Sequence, residues 1–385
     1  MNTDDLLLIS LGGGAANIMR TVLANATAPL RTLILDTDDA ALEAVIPANG
    51  LSTTIFGTQR LNGQGTHGDC QLGASAFRDD ATTIQTQIGT PRLVILLTCC
   101  GGGTAGAAPH LLEYLRNNGI ATLVFAALPF TFEGDERKAN ARKIAINLER
   151  DADALCTIPL DTLAAGLPFN EDGTQPTAEQ TFSYIAQRLG AGLTFLTSLL
   201  THPGFLAFEA ERFRDLLSKH TACLPFYFAD ITTTGEDRAE QALSALTTNP
   251  RFQHDGIDRL ANANWLIVGV LAGSDLRLSE LGTLMSGLRG YCHTLQADYL
   301  GTAHEPTRNG QLTTVALAFE LPNQNAAREG DPLAPQSRSR KGSKKSAAPR
   351  LGNTTDQFMG MERTLVNGVD LDTPTYQRRG IRLAR

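Results

Sequence analysis

Four short apolar runs mark the first third of the chain: LLLIS (6–10), TLILD (32–36), LVILL (93–97) and ATLVFAAL (121–128). Their apolar residues run on consecutively instead of alternating with polar ones, the pattern of strands covered on both faces. Turn and helix signals follow each run. Such alternation predicts a parallel sheet with right-handed crossovers, and ligands on these sheets sit at the C-terminal ends of the strands.

A long amphipathic helix is predicted over 177–200, where Phe182, Ile185, Leu189, Leu193, Leu196 and Leu200 recur at three- and four-residue spacing. THPG (201–204) ends it. Three more strand patterns follow, CLPFYFAD (223–230), NWLIVGVLA (264–272) and LTTVALAFE (312–320), with helical patterns at 236–247 and 279–297. These predict a second, smaller α/β domain over 201–320. From 321 the chain is rich in Pro, Ser, Ala, Lys and Arg and poor in large apolar residues. It cannot bury enough surface to fold alone, so 321–368 reads as a disordered basic linker. Pattern returns in VDLDTPTYQRRGIRLAR (369–385).

The 385 residues carry a net charge of -7, and the one basic run lies in the linker, so no nucleic-acid partner is expected. Six cysteines without CxxC spacing read as reduced thiols of a cytosolic protein. No signal sequence and no apolar run of membrane-spanning length is apparent.

The chemistry lies in glycine clusters. TCCGGGTAGAAP (98–109) joins a buried strand to a helix, where glycine lets a ligand approach and unpaired helix N–H groups favour an anion, most often a phosphate. LGGGAAN (11–17) also follows a strand, and Asp36 ends the next. That is close to a dinucleotide fingerprint, although Asn17 stands at the third glycine position. A Rossmann NAD-binding enzyme is the remote alternative, and it leaves GGGT (101–104) unexplained. NGQGTHGDCQLG (62–73) and PFTFEG (129–134) complete a set of loops facing one sheet edge.

Together with LDTDDAAL (35–42), GEDRAEQAL (235–243), GSDLRLSEL (273–281) and DLDTPTYQRR (370–379), these motifs resemble, in order, those of the FtsZ/tubulin GTPase superfamily. The resemblance implies a GTP-binding domain over 1–176, a core helix (177–200), a C-terminal α/β domain carrying the catalytic loop (201–320), a linker (321–368) and a docking peptide (369–385). It implies GTP/GDP and Mg²⁺ as cofactors, with no metal site of the protein's own. Gly12, Gly13 and Gly14 would cradle the α- and β-phosphates, with Asn17 near the base. Thr37 and Asp38 would lie near the phosphates and Mg²⁺. Gly63, Gly65 and Gly68 would sense the γ-phosphate. Gly101, Gly102, Gly103 and Thr104 would hold the β/γ region. Glu133 and Arg137 would bond the ribose, and Phe182 would stack on the base.

Three departures from the family pattern stand out. GGGTAG is one residue shorter than the usual GGGTGTG. Gln187 stands where an aspartate reads guanine, and it offers an uncharged acceptor. In the loop that completes the neighbouring copy's site, usually NxDxxD, this chain reads AFEAER. Ala207 replaces the Asn and Arg212 the second Asp. Glu209 and Glu211 are the candidate catalytic carboxylates.

The resemblance also implies head-to-tail self-assembly into filaments of bacterial cell division, in the cytoplasm on the inner face of the membrane. A membrane-tethering division protein would bind Asp370, Leu371, Asp372, Pro374, Tyr376, Arg378 and Arg379. The alternative is a nucleotide-binding scaffold with little or no hydrolysis that co-assembles with another family member.

Overall fold

The apolar runs become the centre of a sheet. In the computed structural model, β1 (Leu6–Leu11), β2 (Thr32–Asp36), β3 (Leu51–Ile55), β4 (Leu93–Cys99), β5 (Ala121–Leu128) and β6 (Ala154–Pro159) are all parallel. The structure describes residues 3–321 apart from 27–28, 44, 46–49, 171–172 and 202–203, together with 365–366 and 369–370. The strand order is β3-β2-β1-β4-β5-β6. It reverses between β1 and β4, and at such a switch point the connections diverge and leave a crevice.

Side chains of these strands alternate between two cores. Leu6, Leu8, Ile95 and Phe125 enter one, under α1 (Gly13–Asn25) and α9 (Ala178–Thr201). Leu7, Ile9, Val94 and Leu96 enter the other, under α4 (Cys70–Asp79), α5 (Ala81–Ile88), α6 (Ala108–Asn117) and α7 (Asp135–Asp151). Both faces are covered, which is why the sequence shows unbroken apolar runs. Short helices α2 (Asp39–Glu43), α3 (Thr58–Leu61) and α8 (Leu160–Ala164) lie in the connections.

The second half adds β7 (Leu224–Thr234), β10 (Trp265–Ala272), β11 (Ala297–His304) and β12 (Gln311–Phe319), with a two-residue hairpin, β8 (Gln253–His254) and β9 (Ile257–Asp258). β12 is antiparallel to β7 and β10, whereas β10 and β11 are parallel. α10 (Ala210–Lys219) precedes β7, and α11 (Arg238–Thr247) and α12 (Leu278–Tyr291) bury a third core against β10 and β12. Pairing of Ala154 with Leu224 and of Leu155 with Pro225 joins the halves into one ten-stranded sheet.

The two motifs of the second half hold each other. Arg238, from GEDRAEQAL, bonds Glu280 at 2.6 Å and Asp275 at 2.8 Å, both from GSDLRLSEL. A guanidinium so deeply buried requires paired carboxylates.

Three strands of the ten-stranded sheet fall where none is expected from the sequence. β3 reads LSTTI at the sheet edge and is half polar. β6 is a short mixed run. β11 also lies at an edge, and its first four residues are only partly buried, so no apolar run marks it. The helix expected over 279–297 ends at Tyr291, because Cys292 takes an extended backbone and β11 begins at Ala297. Most of the expected linker and docking peptide lies outside the described residues. Within that stretch, Leu365–Val366 and Val369–Asp370 form a short antiparallel pair.

Candidate functional site

Glycines line the crevice between β1 and β4, some packed against neighbouring loops and some open to free space. Gly12, at φ 89°, turns the chain from β1 into α1, and no side chain caps that helix. After β4, residues 101–103 enter a 3₁₀ turn, Thr104–Ala107, that runs into α6, again without a side-chain cap. A Cβ on Gly14 would stand 3.0 Å from Cys99 Sγ. One on Gly103 would overlap Thr66 Oγ1 and stand 2.6 Å from the Asp69 nitrogen. The 62–69 loop is thus packed against the 101–103 loop. By contrast, a Cβ on Gly102 or Gly68 would meet nothing within 4 Å. Packed glycines hold the loops together and open ones face free space. The uncapped N–H groups at the start of α1 and at the start of the 3₁₀ turn that leads into α6 give this space a partial positive charge suited to phosphate.

The end of β2 closes the third side. The Thr37 and Thr104 hydroxyls lie 2.9 Å apart, and Thr104 Oγ1 also donates to Asp36 Oδ1 at 3.3 Å. The Thr37 N–H donates to the same oxygen at 2.7 Å. Gly65 N–H donates to the Thr37 carbonyl, and Asp39 N–H to the Gly63 carbonyl, both at 2.9 Å. Asp38 lies half-buried beside Gly65, its Oδ1 accepting from the Ala40 N–H at 3.0 Å. Asp36 is only 2% exposed, and its Oδ2 has no hydrogen-bond partner among the described residues. Burial pushes its pKa up, against the donors from Thr37 and Thr104.

A second cluster adjoins the first. A Cβ on Gly101 would stand 3.2 Å from Pro129 Cβ, at the start of the 129–134 loop. In that loop Glu133 accepts from the Phe130 N–H at 2.8 Å and pairs with Arg137 at 2.6 Å. Phe130 meets Phe182 edge to face, with centroids 5.8 Å apart. Of the six residues on the apolar stripe of α9, the other five are buried and Phe182 is 54% exposed. Asn17 on α1 and Gln187 on α9 are exposed too. A Cβ on Gly190 would stand 2.9 Å from Thr21 Cβ, so the two helices touch about one turn beyond Asn17 and Gln187. The loops after β1 to β5 and the start of α9 therefore gather at one end of the sheet.

Glu209 and Glu211 lie at the opposite end. Glu211 pairs with Arg92, the residue before β4, and with Arg214 at 3.6 Å. Glu209 starts α10, and its partner is Arg212 at 3.2 Å. The Arg212 guanidinium also lies 5.4 Å above the ring of Tyr299, near the start of β11. Ala207, Glu209, Arg212, Asp298 and Tyr299 line an open cleft of about 330 Å³. A single chain does not bring these carboxylates to the glycine loops.

No sequence motif marks Asn140. From α7 it donates to the Gly68 carbonyl at 2.9 Å and so fixes the third glycine loop. Lying outside every glycine motif, it leaves no local signal. Of the docking-peptide residues, only the backbone of Asp370 is described; Leu371, Asp372, Pro374, Tyr376, Arg378 and Arg379 lie outside the described residues.

Among the described residues, no group of three or more His, Cys, Asp or Glu is arranged to hold a metal. A magnesium ion carried on phosphates needs only one or two carboxylates. Asp38 and the unpartnered Asp36 oxygen, beside an anion-binding crevice, fit that requirement. No described helix is long and apolar enough to cross a membrane.

Comparison with known proteins points the same way. Residues 8–167 match the model of the Tubulin/FtsZ family, GTPase domain. The cell division protein FtsZ of Buchnera aphidicola subsp. Acyrthosiphon pisum is 26% identical over 321 residues, covering 82% of this chain and 79% of that protein. FtsZ of Rickettsia conorii is 24% identical over 315 residues, or 81% and 67% of the two chains. The fold is similar to that of an empty FtsZ dimer from M. jannaschii, with a TM-score of 0.73, 19% identity and coverage of 90% and 95%. It also resembles CetZ2 of Haloferax volcanii in a GTPγS-bound protofilament, with a TM-score of 0.65, 18% identity and coverage of 85% and 96%.

Proposed function

Because the chain is a divergent member of the FtsZ/tubulin superfamily, we propose that it is a GTP-binding, filament-forming protein of bacterial cell division. One observation carries this reading. The glycine loops and the Glu209–Arg212 cleft lie at opposite ends of one sheet. Such a chain completes its site only when the cleft of a second copy meets its loops. That contact is head-to-tail and does not close, so it generates an open filament.

In this reading Gly12, Gly13 and Gly14 hold the α- and β-phosphates at the start of α1. Gly101, Gly102, Gly103 and Thr104 hold the β/γ region, and Gly63, Gly65 and Gly68 border the terminal phosphate. Glu133 and Arg137 bond the ribose, Phe182 stacks on the base, and Asn17 and Gln187 border its edge. Thr37 and Asp38 would border the Mg²⁺ that accompanies the nucleotide, and that ion would supply neutralisation of phosphate charge. Glu209 of the next copy orients and polarises the attacking water, a contribution of positioning and electrostatics. Glu211, held by Arg92 and Arg214, is the less available of the two carboxylates. The C-terminal peptide docks onto a membrane-tethering division protein and holds the filament at the inner face of the membrane.

A second reading is favoured by Arg212, which engages the Glu209 carboxylate within the same chain. Here the protein binds nucleotide and polymerises but hydrolyses little, and turnover appears only in mixtures with another family member.

Competition for a fluorescent guanine nucleotide tests the site. GTP is expected to displace it well below the concentration of ATP required, and NADH not at all. Equal competition by GTP and ATP would show that Gln187 does not read guanine, and displacement by NADH would favour a dinucleotide site.

A further inference from the structure

Arg212 reverses a charge. It stands on the first turn of α10, where the family pattern has an aspartate. Its Nη1 donates to Glu209 Oε2 at 3.2 Å, and its guanidinium lies over the Tyr299 ring. The side chain is nonetheless 66% exposed, so much of its donor fork is open to a ligand. The other charges around the cleft are held elsewhere. Asp298 accepts from Arg289 at 2.6 Å, and Glu211 pairs with Arg92 and Arg214. Among the described residues, Arg212 is the one cation that lines the cleft.

A cleft lined by carboxylates alone would repel a polyphosphate brought up to it. An arginine changes the sign of that interaction. Its planar fork matches phosphate oxygens two at a time, and such charge-assisted bonds are stronger than neutral ones. The present partner is easily given up, since an exposed ion pair contributes little. The Tyr299 ring attracts the cation and narrows the positions it takes. An arginine also reaches further from its helix than an aspartate does, which suits a contact between two copies. Arginine supplied by a neighbouring molecule is an effective stabiliser of charge on a γ-phosphate. Once Arg212 turns to a phosphate, Glu209 is left free to meet water, so one exchange of partners serves both groups.

We propose that Arg212 binds the γ-phosphate held in the glycine loops of the copy that its cleft meets, giving up Glu209 to do so, and that it makes assembly of this chain depend on that phosphate. The inference rests on the head-to-tail reading and adds to it a cation where the family pattern has an acid.

The experiment measures the concentration at which the full chain begins to pellet, in a non-hydrolysable GTP analogue and in GDP, each with Mg²⁺. The wild-type threshold is expected to be about 100-fold lower in the analogue, within the usual range of coupling between sites. Arg212→Ala should raise the threshold in the analogue about tenfold or more, as expected for a lost hydrogen bond between charged groups, and leave that in GDP near the wild-type value. A side chain that only shaped the contact would raise both thresholds alike. Arg212→Lys keeps the charge without the fork and should fall between the two. Arg212→Asp restores the family residue and should assemble worst of the three, because it sets an acid against the phosphate. Removing Arg212 also unmasks Glu209, so Arg212→Ala is repeated in a Glu209→Gln background, where the rise in the analogue should persist. Nucleotide affinity measured below the thresholds shows that each variant is folded. A threshold ratio unchanged by Arg212→Ala, an equal rise in both nucleotides, a rise that vanishes in the Glu209→Gln background, or an Arg212→Asp protein that assembles as well as the wild type overturns the inference and leaves the filament reading standing. A wild type that forms no polymer with either nucleotide overturns the filament reading, and this inference with it.

Discussion

Replacing Glu209 by alanine is expected to slow phosphate release from GTP by about 10²–10⁴-fold, the usual contribution of a positioned acid or base, and to leave nucleotide affinity unchanged. The separation follows from the geometry. Glu209 lies at the start of α10, beside Tyr299 and Arg212, at the far end of the sheet from the loops of its own chain. It cannot touch the nucleotide its own copy binds. In the proposed filament, its loss would therefore remove an interaction made only across the contact between copies. Glu211→Ala is the matched control. That carboxylate pairs with Arg92 and Arg214 on a partly exposed surface. Such pairs are worth about 0.2–1 kcal/mol, so a small loss of stability and near-normal turnover are expected. If Glu211→Ala removes turnover and Glu209→Ala does not, the register of the loop is shifted and the roles exchange. Unchanged turnover in both variants would place catalysis outside this loop.

The second large effect is expected in the glycine loops, where two neighbouring glycines should behave differently. A methyl group on Gly103 would overlap Thr66 Oγ1 and stand 2.6 and 2.7 Å from Asp69 backbone atoms. Backbone on that side cannot give way without moving the 62–69 loop, which also carries Gly63, Gly65 and Gly68. Gly103→Ala should therefore cost about 1–3 kcal/mol of stability, the range for overpacked sites. It should also weaken nucleotide binding by tenfold or more, since about 1.4 kcal/mol of displaced loop suffices for that. Gly102→Ala meets no protein atom within 4 Å. It should melt with the wild type and yet bind nucleotide more weakly, because the space it fills is where the phosphates are expected. Thermal melting and nucleotide titration on both variants check the contrast. A Gly102→Ala protein with full affinity would move the phosphates away from this loop.

Much of the fold is legible in the sequence because its central strands are buried on both faces. Leu93–Leu97 and Ala121–Leu128 admit almost only apolar side chains, and that uniformity is visible in one dimension. The edge strands β3 and β11 meet solvent, so LSTTI and ADYLGTAH lack the signal. The glycine loops are legible for a related reason. Close packing disfavours side chains at Gly14, against the Cys99 side chain, and at Gly103, against the Asp69 backbone, and a run of glycines records it. What the sequence leaves open is how the loops are tied together. The hydroxyl pair of Thr37 and Thr104 and the bond from Asn140 to Gly68 join residues far apart in the chain. Phe182 shows the same limit from the other side. Its spacing puts it on the apolar stripe of α9, and only the three-dimensional position of Phe130 and the 129–134 loop shows that it emerges above the core. The oxygen left without a partner on Asp36 has no one-dimensional signature at all.

The central claim is that the nucleotide site is completed by a second copy. The most direct test is phosphate release from GTP as protein concentration is raised, with polymer pelleted in parallel. Release that is absent at low concentration and switches on at the same threshold as polymer is the predicted result, because loops and Glu209 then meet only in the filament. Release that is proportional to protein concentration with no polymer present would contradict the claim, since a single chain would then contain the whole site.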